Sequence, residues 1–204
     1  MTEAGAWLDG QLTSQAVPPD EHPWVESTGV TARYRLLREA VRKRYKQTRR
    51  LTAAARRAPL FNPGQAWVSN VSAEPVIFRD VLDDMLRTAL SKGTLRCLLR
   101  HRPVNAVLDG DRVLAVGFEN LQTGEQVMIT AHYVLDATEE GDVLPLTGCE
   151  LIIGAESAAT TGEPHALQGS ADPTDQQAIT WCAALEWLCA SVRQSTRARS
   201  WLIT

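Results

Sequence analysis

No Gly-X-Gly occurs anywhere in the sequence, which excludes both the glycine turn of a dinucleotide fingerprint and a phosphate-cradling G-x-x-x-x-G-K among these residues. There is no H-E-x-x-H, and the four histidines (His22, His101, His132, His165) show no metal-ligand spacing with cysteine. No G-x-S-x-G elbow is present to carry a serine nucleophile. The four cysteines (Cys97, Cys149, Cys182, Cys189) contain no C-x-x-C pair and read as reduced, partly buried thiols. No apolar run approaches the roughly 18 residues of a membrane span, and no basic-then-apolar leader opens the chain. These absences lead us to expect a cytoplasmic protein with no metal centre and no membrane partner.

What is present suits a soluble domain. The 204 residues are 44% apolar and 22% charged, enough for one sizeable domain or a domain with an extension. A net charge of −3 gives the whole molecule no footprint of a nucleic-acid binder. The charge is unevenly spread, however: residues 33 to 50 hold nine Lys/Arg against the single acid Glu39. There, from Val30, the pattern turns helical, with Val30, Tyr34, Leu37, Val41 and Tyr45 on one stripe and Arg35, Arg38, Arg42, Lys46 and Arg49 beside it. That basic face is either a solvated flank resting on an acidic body or a grip, over residues 30–51, for an acidic partner.

Leu60-Phe61-Asn62-Pro63-Gly64 reads as a turn, and Ser72 as the N-cap of a second helix with Glu74 and Pro75 in its first turn. This helix runs to about Lys92, buries Phe78, Val81, Leu82, Met85, Leu86 and Ala89, and stops at Gly93. The period then drops to that of strands. TLRCLLRH forms one strand, RPVNAVL and RVLAVGFEN flank an Asp109-Gly110 hairpin, and Thr123-Gly124 turns the chain into a third limb. This three-stranded antiparallel meander continues into a buried return strand, Tyr133-Val134-Leu135-Asp136. A last helical pattern, QQAITWCAALEWLCASVR, follows a stretch rich in Gly, Ala and Thr.

The opening MTEAGAWLDGQLTSQAVPPDEHPW is unlike a domain start: an acid, Glu3, stands almost at the terminus, followed at once by glycines and a polar loop. Taken with FNPGQAWVS, YVLDATEEGDVLPLTG, GAESAATTGEPHA and DQQAITWCAALE, it resembles a bacterial group of FAD-dependent oxidoreductases with the glutathione-reductase-like fold. The resemblance covers roughly residues 2 to 186. It implies an α/β fold, a partial FAD/NAD(P)-binding Rossmann-like domain with a three-stranded meander and flanking helices. The segments would then be 1–29 (strand end and cofactor loop), 30–92 (helical), 93–148 (meander and return strand), 149–186 (start of the substrate region) and 187–204 (an unmatched tail).

The resemblance also implies a cofactor, FAD, and a small-molecule substrate that exchanges a hydride with the flavin. Glu3 stands where an acid accepts the adenosine ribose hydroxyls. Gly10, Gln11 and Thr13 belong to the loop under the pyrophosphate. Val104 is similar to the residue whose backbone meets the adenine edge, Ala137 and Thr138 to the turn closing over the dinucleotide, and Asp142 to a residue near the ribityl end. Where the family has Gly-Gly, this chain has Asp9-Gly10, and the added carboxylate would repel phosphates. Asp20, Glu21, His22 and His165 are candidates for the substrate side, with loop packing as the competing role of both histidines. On this reading the first strand and its glycine turn are missing from the front, so the chain alone is expected to bind FAD weakly or not at all. The tail from residue 187 is expected to stem from a frame change, or else to be a genuine amphipathic helix. A non-catalytic interaction module is the rival reading, and self-association into a homo-oligomer stays open.

Overall fold

The computed structural model describes residues 1–178, so residues 179–204, with most of the last helical pattern and the whole unmatched tail, lie outside the described residues. The chain divides into two compact units, one running Met1–Leu99 and the other beginning at Arg100. The architecture is α/β, in keeping with a partial Rossmann-like domain: a parallel strand pair, helices, and a three-stranded antiparallel sheet.

In the first unit, β1 (Thr2–Glu3) pairs in parallel with β2 (Leu98–Leu99). Helix α1 (Ala32–Thr48) begins two residues later than its apolar stripe suggests. Thr31 caps it, its hydroxyl accepting from the Tyr34 N–H at 3.2 Å. A short helix α2 (Ala53–Arg57), not expected from the sequence, is capped in the same way by Thr52. Helix α3 (Pro75–Ser91) starts at Pro75, where the absent N–H costs nothing. Its N-cap is Glu74 and not Ser72. Ser72 is instead held in the Asn62 turn, where its N–H and hydroxyl both donate to Asn62 Oδ1. At the far end Gly93, with φ of +69°, closes a Schellman turn: Gly93 N–H donates to Leu90 and Thr94 N–H to Ala89.

Leu37 and Val41 of α1 pack on Ile77, Phe78 and Val81 of α3, with Val71 between them, and Leu12 and Tyr34 join from the edge. At roughly 1.5–3 kcal/mol for each large side chain removed from water, this cluster supplies most of the unit's apolar stabilisation. Burial stops halfway along α3: Met85 is exposed, against expectation, and Leu86 and Ala89 are only half-buried. The basic face of α1 needs the larger correction. Arg38 and Arg42 are buried rather than solvated, because carboxylates reach them from outside the helix.

In the second unit, β3 (His101–Asp109), β4 (Arg112–Asn120) and β5 (Gln126–Thr130) form the meander. The first hairpin turns through Gly110 and Asp111, and Gly110 and Gly124 take the positive φ their turns require. TLRCLLRH is not one strand. Arg100, at φ +59°, breaks it, leaving β2 on one side and β3 on the other. Four consecutive residues of β4, Ala115 to Phe118, are buried, and Val116 and Phe118 pack with Val143. The return strand is not formed. Residues 133–136 pair with no strand among the described residues, and Tyr133 and Leu135 stand 85% and 86% exposed. An apolar run becomes a strand only with a ladder partner for its N–H and C=O groups, and none among the described residues pairs with this one. Short helices α4 (Leu144–Thr147) and α5 (Ala158–Thr161) follow, each ended by a left-handed glycine, Gly148 and Gly162.

Candidate functional site

The cofactor residues expected from the sequence fall into one group in each unit. In the first, β1 delivers Glu3 to the start of a compact loop. Glu3 Oε1 accepts from the Gly5 N–H, while Oε2 makes no hydrogen bond among the described residues and is not buried. The loop folds back on itself: Thr13 and Gln15 N–H groups donate to the Gly10 carbonyl at 3.2 and 2.8 Å, and Val17 N–H donates to Gln11. Leu12 anchors it on the helical core, and Arg79 of α3 stacks over the Trp7 ring, 5.0 Å from its centroid.

Gly10 is buried with φ of +86°, a conformation that glycine adopts at no steric cost. The Gly10 and Gln11 N–H groups make no hydrogen bond among the described residues, so neither donor is committed within the loop. Thr13 is completely buried, and its hydroxyl donates to the Leu8 carbonyl at 2.6 Å. It therefore shapes the loop from within and does not present its hydroxyl outward. Asp9 has φ of +81°, and its Oδ1 accepts from the Leu12 N–H at 2.8 Å.

The substrate-side candidates separate. Asp20 and His22 are exposed, and His22 Nδ1 accepts from the Trp24 N–H at 3.2 Å within its own turn. Glu21 is drawn inward. It accepts from Arg38, from the Tyr34 hydroxyl at 2.6 Å, and from the Asn70 N–H. Arg38 also pairs with Glu26, and Arg42 joins Glu26 to the Phe61 and Asn70 carbonyls. Burial, with Arg42 alongside, pulls the Arg38 guanidinium down to about 10, so at neutral pH it is charged and the network is ionic. Desolvation, helped by the Asp9 charge, pushes the Tyr34 phenol up, so it stays protonated as a donor to Glu21.

In the second unit Val104 is the extra residue of a β-bulge: Pro103 faces Phe118 and Asn105 faces Gly117, so Val104 has no ladder partner. Ala137, Thr138 and Asp142 lie together on the loop between β5 and α4, and all three are exposed. Asp136 organises that loop. Its Oδ1 accepts from the Thr138 N–H and hydroxyl at 2.9 and 2.8 Å, and its Oδ2 accepts from the Val143 N–H at 2.9 Å. The Asp142 N–H donates to the Thr138 hydroxyl at 2.7 Å. Partial burial opposes the Asp136 charge, but the donors of Thr138, Val143 and Leu144 outweigh it and hold the carboxyl below its ordinary range. The Asp142 carboxylate makes no hydrogen bond among the described residues. His165 is exposed and has no partner among the described residues.

Three contributors were not anticipated. The Glu21–Arg38 pair and the Arg79–Trp7 stack join residues far apart in sequence, and no local signal marks either. Asp136 was detectable, because Asp-X-Thr is the spacing of a carboxylate closing a turn on the residue two ahead. Among the described residues no group of His, Cys, Asp and Glu could hold a metal ion, and no helix is long and apolar enough to cross a membrane.

No curated protein and no solved structure matches the chain. The family model described as FAD dependent oxidoreductase matches residues 1–201. This match over nearly the whole chain shows that it belongs to the FAD dependent oxidoreductase family, and FAD is its cofactor.

Proposed function

We propose that the chain serves an oxidoreductase acting on a small molecule, with Glu3 and the Gly10–Gln11 amides of the first unit as contacts for FAD, and with Val104 and the 137–142 loop as separate candidate contacts on the second unit. When bound, FAD supplies the redox chemistry by exchanging a hydride with the substrate. The donor set of the opening loop fits this group. Glu3 keeps one carboxylate oxygen open for the hydroxyls of a ribose, and the neighbouring loop offers unpaired N–H groups to an anion. That pairing of an open acceptor with open donors, on one short loop, is the observation that carries the reading. The bulge sets Val104 outside the one-to-one register of the meander, the position at which a base edge would meet the backbone, and Asp142 offers a free carboxylate to the hydroxyls of a polyol. Asp9 works against binding, since a carboxylate near a diphosphate is repelled.

Titrating the purified chain with FAD and following quenching of flavin fluorescence tests this. Weak but saturable binding, lowered about tenfold further in Glu3→Ala as a hydrogen bond to a charged group is lost, is the expected result. Binding indifferent to Glu3 and to the Gly10 loop overturns the assignment of these residues.

A further inference from the structure

Helix α1 carries a second candidate site that does not depend on the flavin reading. Beside it lies a cleft of about 620 Å³ bounded by α1, α2 and the segment at Pro59 and Leu60. Six cations line it: Arg35, Arg38, Arg42, Lys43, Lys46 and Arg56. Their charges are not equally available. Arg38 and Arg42 are buried and neutralised by Glu21 and Glu26. Lys46 donates to the Ala58 carbonyl and Arg56 to the Lys46 carbonyl, which positions both heads without cancelling their charge. Arg35 and Lys43 are exposed and have no partner among the described residues.

Against these four free charges the cleft sets one unpaired acid, Glu39, a turn from both Arg35 and Lys43. The unneutralised surplus is concentrated in one concave place, which raises the local concentration of anions. The Arg heads present forked donors that match phosphoryl oxygens. Val25, Pro59 and Leu60 add an apolar wall on which an organic group could rest.

We propose that this cleft binds a small polyphosphate-bearing molecule, with Arg35, Lys43, Lys46 and Arg56 as its cationic contacts. A small anion is favoured over a macromolecule because the free charges converge on a concavity rather than extending along a face. Glu39 sets the affinity from within, since its charge subtracts from the field that the ligand meets.

Calorimetric titration of the full chain with inorganic tripolyphosphate at low salt tests the proposal, alongside Arg35→Gln/Lys43→Gln and Glu39→Gln. All three positions are exposed on a helix, so helical circular dichroism should be unchanged. The expected results are saturable binding, a loss of about tenfold or more in the double variant, and tightening of a few-fold in Glu39→Gln. Absence of binding by the unaltered chain, or equal affinity in the double variant, overturns it. So does a short duplex DNA that binds more tightly than tripolyphosphate and competes with it, which would make the face a nucleic-acid surface. The same variants should leave FAD affinity unchanged, so failure here and failure of the flavin reading are separately visible.

Discussion

Glu21 and Arg38 form an ion pair inside the first unit, their side chains 3% and 2% exposed. The pair joins the loop that follows the proposed cofactor segment to the middle of α1, and through Ser69 and Asn70 it also holds the 61–72 turn. Removing one member leaves a buried charge without its main partner. Glu21→Ala and Arg38→Met should each cost about 3–5 kcal/mol in urea unfolding, and Glu21→Leu/Arg38→Met well under their sum. Additive losses would mean that the two side chains act separately.

Such non-local pairings mark where the sequence stops being informative. The stop of α3 at Gly93 and both hairpin turns were legible because each rests on local chemistry, a left-handed glycine at Gly93, Gly110 and Gly124. The basic stripe was misread because nothing near residues 38 or 42 announces the acids at 21 and 26. The stretch 133–136 was overread for the complementary reason. Its apolar, β-branched composition suits a strand, but ladder formation depends on what lies alongside, and a single segment carries no record of that. Glu3 and Gly10 were identified through family resemblance, since an acid near a terminus and a glycine in a loop have no chemistry of their own to distinguish them.

Asp136 carries a pH signature. Because its donors hold the folded-state carboxyl below the ordinary range, its ionised form stabilises the fold at any pH above the unfolded value near 4. That contribution is lost as the pH falls through the depressed folded-state pKa. Asp136→Asn should therefore cost about 1–2 kcal/mol at neutral pH. It should also flatten the part of the stability curve below about pH 4. The side-chain carboxyl shift in NMR titration gives the direct check, and an Asp136 that titrates at or above the ordinary value would contradict the loop geometry.

Gly117 on β4 is kept a glycine by Asn105 and not by its backbone, since a Cβ added there would overlap the Asn105 side-chain oxygen. Gly117→Ala should cost no more than about 1 kcal/mol, because Asn105 is exposed and its amide end can swing aside. Asn105→Ala should return most of that in the double variant. Chemical denaturation of the four proteins closes the cycle. As Asn105 adjoins the bulge at Val104, the single variant should also weaken FAD binding if the bulge serves the cofactor.

Asp9 offers the sharpest test of the opening loop, because two effects can be separated there. Its φ of +81° costs a non-glycine residue roughly 1–2 kcal/mol. Its hydrogen bond from the Leu12 N–H returns about 1 kcal/mol. Asp9→Gly relieves the first and forfeits the second, so unfolding stability should move by less than about 1 kcal/mol. Asp9→Asn keeps the acceptor and the strained backbone but removes the charge. If a diphosphate lies against the Gly10 and Gln11 amides, both variants should bind FAD several-fold more tightly, by an amount that shrinks as salt rises. A gain in Asp9→Gly alone would assign the effect to backbone freedom. Equal affinity in all three proteins would place the diphosphate away from this loop.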